Sequence, residues 1–482
     1  MRTLRADLAG IFGAPAFARM QWGVLIQSLG SDEVLYSEQP SKLMMPASNM
    51  KIVTLSAAAE RLGWDFTYET KLVSAAPVED GVLRGDLIVV GSGDPTINAR
   101  GGSATRVFES WADQLRAAGI TRIDGRIVAD ARAFDTEVLG AGWAWDYLGY
   151  GYAAGVSALQ FNEDVADVAV LPGPSPGTPA VAEVRPIESG LILDNRVTTA
   201  ANGDPDIELQ RLPGSNRLIV TGVVPAGSKE VVREATVDRP ALYFARILRK
   251  TLMARGIDVT GDAGEYDDVY GTGRSAMAHA PGTPAAPAEP ASVAPAGTRV
   301  LLSHRSPPLS EIARVQMKVS QNLYAETLLR TLGAQSGAGT AEAGQKIVRE
   351  VLTGWGIPPD AYVLEDGSGL SRYNYVCADT IVTILRHMYQ DPRHREAFLQ
   401  TLPIGGQDGT IARRFQGSRA AGNVRAKTGS IANVRALSGY VTTEEGEVLV
   451  FSILANNFTA PQSAIDAATD QAVERLAAFT RR

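Results

Sequence analysis

Two segments near opposite ends of the chain have the pattern of β-hairpins. Residues 23–38, GVLIQSLGSDEVLYSE, alternate apolar and polar side chains around a turn at 30–32. Residues 435–458, RALSGYVTTEEGEVLVFSILANNF, predict a second hairpin with its turn at 444–446. Each hairpin lies beside a predicted helix, so the two can pair into one antiparallel sheet covered by helices. The two chain ends would then form a single domain, with the residues between them inserted into it.

The middle of the chain differs in character from its ends. From about residue 70 to residue 300, short β-rich runs such as GDLIVVG and RLIVTGVV are punctuated by Gly and Pro, and helical periodicity returns after 300. The segment PGPSPGTP and the strands that follow it indicate a small β module at 166–235. We therefore predict one domain from residues 1–70 and 300–482. A chain of 482 residues has room for roughly two to four compact units.

Composition and residue counts argue against several classes of function. The net charge of -7 argues against a nucleic-acid partner, whose phosphates require a basic surface. No apolar run of about 18 residues is present, so no transmembrane segment is expected. The single cysteine, Cys377, excludes an internal disulfide and a Cys-based zinc site. No histidine stands in an H-E-x-x-H pattern, and His387 and His394 are expected on a solvated helix and loop, so no metal or cofactor is predicted.

Two segments are relevant to an export signal and to a linker between domains. The first residues, MRTLRADLAGIFGAPAFARMQ, contain no apolar core of signal-peptide type. Either the protein is cytoplasmic or its export signal lies outside this sequence, and composition alone does not choose between these. The Ala/Pro-rich residues 279–298, HAPGTPAAPAEPASVAPAGT, predict a mobile loop or linker.

The segment PASNMK, residues 46–51, precedes small and apolar residues with helical spacing. Pro46 suits the start of a helix, and Gly63 suits its end. Positions three apart share a helix face, so Ser48 and Lys51 lie within reach of each other. A desolvated lysine has a lowered pKa and can accept the serine proton, while the helix N-terminus favours a developing oxyanion. The alternative is a capping serine beside a surface lysine.

Two further motifs occur once each and follow Ser48 in order. Residues 320–322, Ser-Gln-Asn, form the only S-x-N sequence and lie between two predicted amphipathic helices. Residues 427–429, Lys-Thr-Gly, form the only K-T-G sequence and run into a predicted strand. Taken singly, Ser320 could cap a helix and Gly429 could belong to a turn. The ordered set matches the active-site motifs of penicillin-binding proteins and class A β-lactamases, with Asn322 last in a middle motif that usually reads S-D-N.

The chain resembles the low-molecular-mass class C penicillin-binding proteins, the D-alanyl-D-alanine carboxypeptidase/endopeptidase family. The matching segments extend over nearly the whole chain: MPASNMK, GDLIVVGSGDPT, HRSPPLSEI with KVSQNLYAETLLR, LPIGGQDGTIARRF and AAGNVRAKTGSIANVRALSGYV. The resemblance implies an α+β fold, a β-lactamase/DD-peptidase-like domain with an antiparallel sheet flanked by helices. It also implies two nested inserted domains, domain II at 71–165 and 236–299 and the β-rich domain III at 166–235. They would fill the 272 residues from Ser48 to Ser320.

The resemblance implies a role for each residue that carries the chemistry. Ser48 would be the acylated nucleophile, and Lys51 would be the general base. Ser320 would relay the proton to the leaving D-alanine nitrogen, and Asn322 would hold the substrate amide. Lys427 would supply positive charge near Ser320 and near the substrate carboxylate.

The strand after Lys427 would bind the substrate. Thr428 would hydrogen-bond the substrate carboxylate, and Gly429 would let the strand lie close to the substrate because a side chain there would block it. The backbone N–H groups of Ser48 and Ser430 would form the oxyanion hole. A threonine often stands where this chain has Ser430, and because only the N–H is used the difference should matter little.

A second group of substrate-binding residues is expected in the inserted region. In relatives, the segment that matches GWAWD meets the far end of the stem peptide, where an acidic residue pairs with the free amine of diaminopimelate. Here that residue would be Asp146, with Trp143 as a wall and Tyr150 or Tyr152 near by. The alternative is a Trp-rich contact between domains with a solvated aspartate.

The resemblance predicts a serine D-alanyl-D-alanine carboxypeptidase/endopeptidase that works through an acyl-enzyme on Ser48 without metal or cofactor. Its substrate would be peptidoglycan stem peptide, and β-lactams would acylate Ser48 covalently. A serine β-lactamase or esterase with the same motifs is the alternative, and a non-catalytic peptidoglycan-binding module is a third interpretation. Because peptidoglycan lies outside the cytoplasmic membrane, this function implies a periplasmic or cell-wall-associated location.

Overall fold

The computed structural model describes residues 1–271 and 294–481. They divide into two compact units. The first contains Met1–Phe66, Pro308–Leu332 and Gly344–Arg482, and the second contains Thr67–Pro307 and Gly333–Ala343. The predicted linker at 279–298 lies mostly outside the described residues.

The helices and strands are numbered here along the chain. The α-helices of the described residues are α1 Arg2–Phe12, α2 Met50–Leu62, α3 Arg106–Ala117, α4 Pro240–Ala254, α5 Tyr266–Tyr270, α6 Leu309–Lys318, α7 Asn322–Gln335, α8 Ala341–Gly354, α9 Ala378–Gln390, α10 Arg395–Thr401 and α11 Gln462–Ala477. The β-strands are β1 Gln21–Ser28, β2 Val34–Glu38, β3 Glu69–Ser74, β4 Val78–Glu79, β5 Val82–Leu83, β6 Leu87–Val90, β7 Arg122–Ile123, β8 Ile127–Asp130, β9 Val165–Leu171, β10 Val181–Arg185, β11 Ile192–Asn195, β12 Thr198–Ala200, β13 Asp206–Gln210, β14 Arg217–Pro225, β15 Val231–Thr236, β16 Asp258–Val259, β17 Ala263–Glu265, β18 Arg299–Arg305, β19 Tyr362–Val363, β20 Tyr375–Val376, β21 Arg425–Ile431, β22 Val434–Thr442 and β23 Val448–Asn456.

The first unit is built on a five-stranded antiparallel sheet in the order β2-β1-β23-β22-β21. The N-terminal hairpin β1–β2 and the C-terminal hairpin β22–β23 join through the β1–β23 pair, in which Ile26 is opposite Phe451. At the sheet edge, Lys427 of β21 is opposite Ser438 of β22. The prediction that the two chain ends share one sheet within an α+β fold is confirmed.

Helices cover both faces of this sheet because side chains alternate along a strand. Phe451 and Ile453 of β23 belong to the apolar core that α1 and α11 complete. The intervening Ser452 points to the other face, where its hydroxyl accepts a hydrogen bond of 2.9 Å from Ser438. Ser438 in turn accepts one of 2.7 Å from Asn49, just before α2. The sheet thereby holds the start of α2 against the ends of β21 and β22.

The second unit contains the other large sheets and α3, α4 and α5. Two of its sheets, β17-β8-β6-β3-β18 and β16-β7-β5-β4, use strands from both sides of residues 165–236. Two others, β10-β9-β15 and β11-β14-β12 with β13, are formed entirely within 165–236. That arrangement supports a nested module there, and the division into domains II and III remains our proposal.

The boundary between the units falls beside one pair of strands. Strands β3 and β18 pair antiparallel, with Thr70 opposite His304. The predicted boundaries at residues 70 and 300 fall inside these strands, whereas the first unit ends at Phe66 and resumes at Pro308. Pairing between residues far apart in sequence has no local signal, and the predicted domain boundaries remain a proposal.

In the described part of the chain, no helix combines the length and apolar character needed to cross a membrane.

Candidate active site

The segment that carries Ser48 begins with a tight turn. Residues Ala47–Asn49 form a single 3-10 turn that continues into α2, and Gly63 follows the last residue of that helix. Ala47 has φ of 44°, a left-handed conformation that is strained for alanine and that clusters at functional sites. The turn leaves Ser48 only partly buried, so its hydroxyl is accessible at the start of the helix.

Lys51 lies one helical turn after Ser48 and is fully buried. Its Nζ is 2.9 Å from Ser48 Oγ, 2.6 Å from Asn322 Oδ1 and 2.8 Å from the carbonyl oxygen of Ser368. These three contacts use every N–H that a lysine can offer. The interpretation of Lys51 as a surface lysine is therefore excluded by its burial.

Burial lowers the pKa of Lys51 to about 7, and the negative charges of Asp366 and Glu326 act in the opposite direction. An amine with this pKa is partly neutral near neutral pH. When neutral, it can donate two N–H groups to Asn322 and Ser368 and turn its lone pair toward the Ser48 hydroxyl.

The second and third motifs meet at Ser320. This residue has φ of 62° in the turn between α6 and α7. Lys427 donates a hydrogen bond of 2.7 Å to Ser320 Oγ and one of 2.9 Å to the carbonyl of Thr428. Lys427 is fully buried, and burial followed by the nearby charge of Lys51 lowers its pKa well below the usual value. The two lysines therefore belong to one desolvated cluster.

The remainder of the third motif lies on the edge strand β21. Thr428 donates a hydrogen bond of 2.7 Å to Thr410. A side chain at Gly429 would place its Cβ 2.5 Å from the carbonyl oxygen of Pro46. Ser430 is exposed, and its hydroxyl accepts a hydrogen bond from Arg435. The strand thus lies directly against the segment that carries the serine.

The structure adds residues that the motifs did not indicate. Glu326 and Asp366 are both 1% exposed, and Ser368 is fully buried behind Lys51. Glu326 is four residues after Asn322, so both share one face of α7. Asp366 and Ser368 belong to the sequence DGSGLS, whose closely spaced glycines are the only sequence signal we can identify for a loop packed against other backbone.

The other predicted substrate residues belong to the second unit. Trp143 and the exposed Asp146 flank the exposed Trp145, and residues Trp145–Tyr147 form a 3-10 turn. The rings of Tyr150 and Tyr152 stack with centroids 5.5 Å apart. Tyr147, which follows Asp146, has its ring centroid 5.7 Å from that of Tyr152. The role assigned to Asp146 and Trp143 stays a prediction.

A separate cluster has the residue types of a metal site. Single ligand atoms of Glu60, His387 and Asp391 lie within 4.8 Å of one another. Arg393 forms ion pairs of 3.1 Å with Glu60 and 2.6 Å with Asp391, so a guanidinium already balances the carboxylates. Glu60 follows Lys51 by nine residues along α2, about 13 Å by helical rise, which separates this cluster from the serine.

The prediction that His387 and His394 lie on solvated segments was wrong. His394 is 3% exposed, and its Nδ1 accepts a hydrogen bond of 3.1 Å from Trp64 while Nε2 faces Glu60 at 2.8 Å. His387 is partly buried and stacks on Trp355 with centroids 4.1 Å apart. The neighbouring Arg and Asp residues suggest a solvated segment, and the local sequence gives no sign of the contacts that these rings make with residues distant along the chain.

The fold and the cluster define a class of protein. An accessible serine, two buried lysines and a glycine-bearing edge strand, on a five-stranded sheet flanked by helices, are the arrangement of serine-type hydrolases of the penicillin-binding group. The D-Ala-D-Ala carboxypeptidase 3 (S13) family matches residues 4–281 and 290–479. The chain belongs to this family.

Two curated relatives are named as D-alanyl-D-alanine carboxypeptidases. The chain is 36% identical over 472 residues to a D-alanyl-D-alanine carboxypeptidase of Actinomadura sp. (strain R39), covering 95% of this chain and 82% of the relative. It is 27% identical over 445 residues to the D-alanyl-D-alanine carboxypeptidase DacB of Haemophilus influenzae, covering 91% and 85%. The predicted family and enzyme class, a serine-type D-Ala-D-Ala carboxypeptidase, are confirmed.

A solved structure shows the same architecture. Penicillin-binding protein 4 (DacB) of Haemophilus influenzae superposes with a TM-score of 0.80 at 25% identity, covering 98% of this chain and 99% of that one. The structure of that protein complexed with a novel β-lactam gives a TM-score of 0.75 at 24% identity, with coverage of 99% and 100%. The predicted fold is confirmed over nearly the whole chain.

Proposed function

We propose that this serine carboxypeptidase acts on peptidoglycan stem peptides that end in D-Ala-D-Ala, or on cross-links from D-Ala to a diamino acid, through an acyl-enzyme on Ser48. The observation that carries the proposal is the contact of 2.9 Å between the partly buried Ser48 hydroxyl and the buried Lys51 amine. The lowered pKa of Lys51 supplies a base at neutral pH.

Acylation begins when the neutral amine of Lys51 accepts the Ser48 proton as Oγ attacks the carbonyl carbon of the penultimate D-alanine. The backbone N–H groups of Ser48 and Ser430 stabilise the oxyanion of the tetrahedral intermediate. As the peptide C–N bond breaks, Ser320 relays a proton: its hydroxyl gives one to the departing amine and takes back the one that Lys51 accepted from Ser48, which leaves Lys51 neutral for the next step. Water then hydrolyses the ester and restores Ser48.

The groups around β21 account for recognition of the substrate terminus. Lys427 and Thr428 are consecutive residues of this strand, and Thr410 is 2.7 Å from the Thr428 hydroxyl. Together they offer positive charge and hydroxyl donors to a carboxylate. Gly429 lets the strand lie against the segment that carries Ser48, because a Cβ there would be 2.5 Å from the carbonyl oxygen of Pro46.

Recognition of the distant end of the stem peptide falls to the second unit in this proposal. Asp146 would pair with the free amine of the diamino acid, and Trp143 would pack against its aliphatic part. The exposure of Asp146 and the neighbouring aromatic rings support this assignment. Because peptidoglycan is assembled outside the cytoplasmic membrane, we infer that the enzyme works in the periplasm or at the cell wall.

The proposal is tested by intact-protein mass spectrometry after incubation with benzylpenicillin. A β-lactam presents a strained amide in place of the D-Ala-D-Ala bond, so we expect one covalent adduct on the wild type and none on Ser48→Ala. An adduct on both would place the nucleophile elsewhere. Rapid repeated turnover of a chromogenic cephalosporin, instead of a single burst, would show a β-lactamase.

A further inference from the structure

A buried carboxyl group lies behind the lysine that contacts Ser48. Glu326, on α7, is 1% exposed. Its Oε1 accepts a hydrogen bond of 2.8 Å from the N–H of Ser368, and its Oε2 accepts one of 3.1 Å from the N–H of Gly367. A carboxylate has two acceptor oxygens and no donor, so it can accept from two adjacent N–H groups through separate oxygens. Glu326 therefore fixes this part of the backbone.

The same short segment of backbone contacts Lys51 directly. The carbonyl oxygen of Ser368 accepts a hydrogen bond of 2.8 Å from Lys51 Nζ. The preceding carbonyl, that of Gly367, accepts one of 2.8 Å from Thr54 Oγ1 on the next turn of α2. The N–H groups of residues 367–368 therefore donate to Glu326. The carbonyl oxygens of the same two residues accept from side chains of α2.

The loop at residues 366–371 has little freedom to move. A Cβ on Gly367 would lie 2.5 Å from the carbonyl oxygen of Ala325, and one on Gly369 would lie 1.8 Å from that of Ala47. The carboxylate of Asp366 accepts hydrogen bonds of 2.7 Å from the Gly369 N–H and 2.6 Å from the Ser371 N–H. The loop is packed backbone to backbone between α7 and the segment that carries Ser48.

We propose that Glu326 is a positioning residue: through the 366–371 loop it fixes the Ser368 carbonyl that accepts one N–H of Lys51, so that the amine lone pair faces Ser48. This inference rests on the proposed roles of Ser48 and Lys51. The two oxygens of Glu326 accept from backbone N–H groups of this loop, so we assign it no direct role toward substrate or nucleophile.

The charges around Lys51 give the inference a measurable signature. Asp366 and Glu326 raise the pKa of Lys51 against the larger effect of burial. Lys427 is the nearby cation, and its own pKa is lowered in part by Lys51. Burial and then Asp366 raise the pKa of Glu326, while the hydrogen bonds from Ser368 and Gly367 and the charge of Arg330 lower it. Loss of the Glu326 charge should therefore lower the pKa of Lys51 further.

The test compares the pH dependence of acylation in wild type and in Glu326→Gln. The glutamine has nearly the same size but can accept from only one of the two N–H groups, so the amine loses its fixed orientation. We expect the plateau rate constant of acylation by benzylpenicillin to fall about 10- to 100-fold. Without the carboxylate charge, Lys51 loses its proton more readily. The acidic limb of the pH–rate profile, where the acylation rate constant rises with pH, should therefore move to lower pH by about half a unit to one unit.

Two further variants keep the interpretation unambiguous. Thr54→Val removes a neutral hydrogen bond to the same loop, so it should lower the plateau without moving the limb. Glu350→Gln removes a carboxylate that is 58% exposed and paired with Arg61, and it should leave both quantities unchanged. If Glu326→Gln does not fold, Thr54→Val still tests the loop, and an unchanged plateau there would overturn the inference.

Each outcome decides either the inference or the proposed function. If Glu326→Gln keeps both the plateau rate constant of acylation and the acidic limb of the pH–rate profile of the wild type, the positioning role is overturned. A lowered plateau with an unmoved acidic limb would also overturn it, because that result indicates a purely structural residue. A wild type that forms no adduct, or a Ser48→Ala variant that still forms one, would instead overturn the proposed function.

Discussion

Gly429 lies directly against the carbonyl oxygen of Pro46. A Cβ at Gly429 would be 2.5 Å from that oxygen and 3.2 Å from the Cβ of Ala47, distances that backbone atoms cannot accommodate without moving. The third motif therefore packs closely against the segment that leads into α2. This contact sets the spacing between β21 and Ser48.

We expect Gly429→Ala to separate these two segments and to lower the second-order rate constant of acylation by benzylpenicillin about 100-fold. The overpacked contact should also reduce the free energy of unfolding by about 1–3 kcal/mol, measured by urea denaturation. Gly354→Ala is the matched control, because a Cβ there meets nothing within 4 Å. Normal acylation by Gly429→Ala would show that the spacing is not needed.

The pKa of Lys51 predicts how acylation depends on pH. Burial lowers this pKa to about 7, and a protonated amine cannot accept the Ser48 proton. The acylation rate constant should therefore rise with pH up to about 7 and then level off, falling about tenfold for each unit below the pKa. Rapid-mixing kinetics with a chromogenic β-lactam between about pH 5 and pH 8 measures it. A flat profile over this range would exclude Lys51 as the base.

The single thiol should be inert in the folded protein. Cys377 is 3% exposed, and burial, followed by the charges of Asp379 and Asp360, raises its pKa to about 11. Because the thiolate is the reactive form, we expect no modification by iodoacetamide at pH 8 in the native state and complete modification in denaturant. Mass spectrometry reads both states. Rapid native labelling would contradict the burial of this side chain.

The proposed role of Asp146 predicts a selective effect on substrate choice. With a stem peptide that has a free diaminopimelate amine, Asp146→Asn should lower kcat/KM about 10-fold, because a charge-assisted hydrogen bond is lost. With the acetylated peptide, wild type and variant should be equal. Asp204→Asn, at an exposed position in the same unit, serves as the control. Equal losses on both peptides would assign Asp146 a structural role.

The sequence by itself determined the catalytic motifs, the family and the α+β class. Ser48 and Lys51 are three residues apart, so the geometry of a single helical turn places them together wherever that helix lies. The hairpins β1–β2 and β22–β23 follow from alternation of side chains around polar turns, which is also a local property. Local spacing is therefore sufficient for these features.

Only the tertiary structure decided what surrounds Lys51. Glu326 and Ser368 are 42 residues apart, and no periodicity or turn signal links a helix position to a distant peptide N–H. The burial of His394 and the strand pair that moves the unit boundary arise in the same way, from packing of segments remote in sequence. Long-range contacts of this kind form only when the whole chain folds. They cannot be predicted from the local pattern of residues.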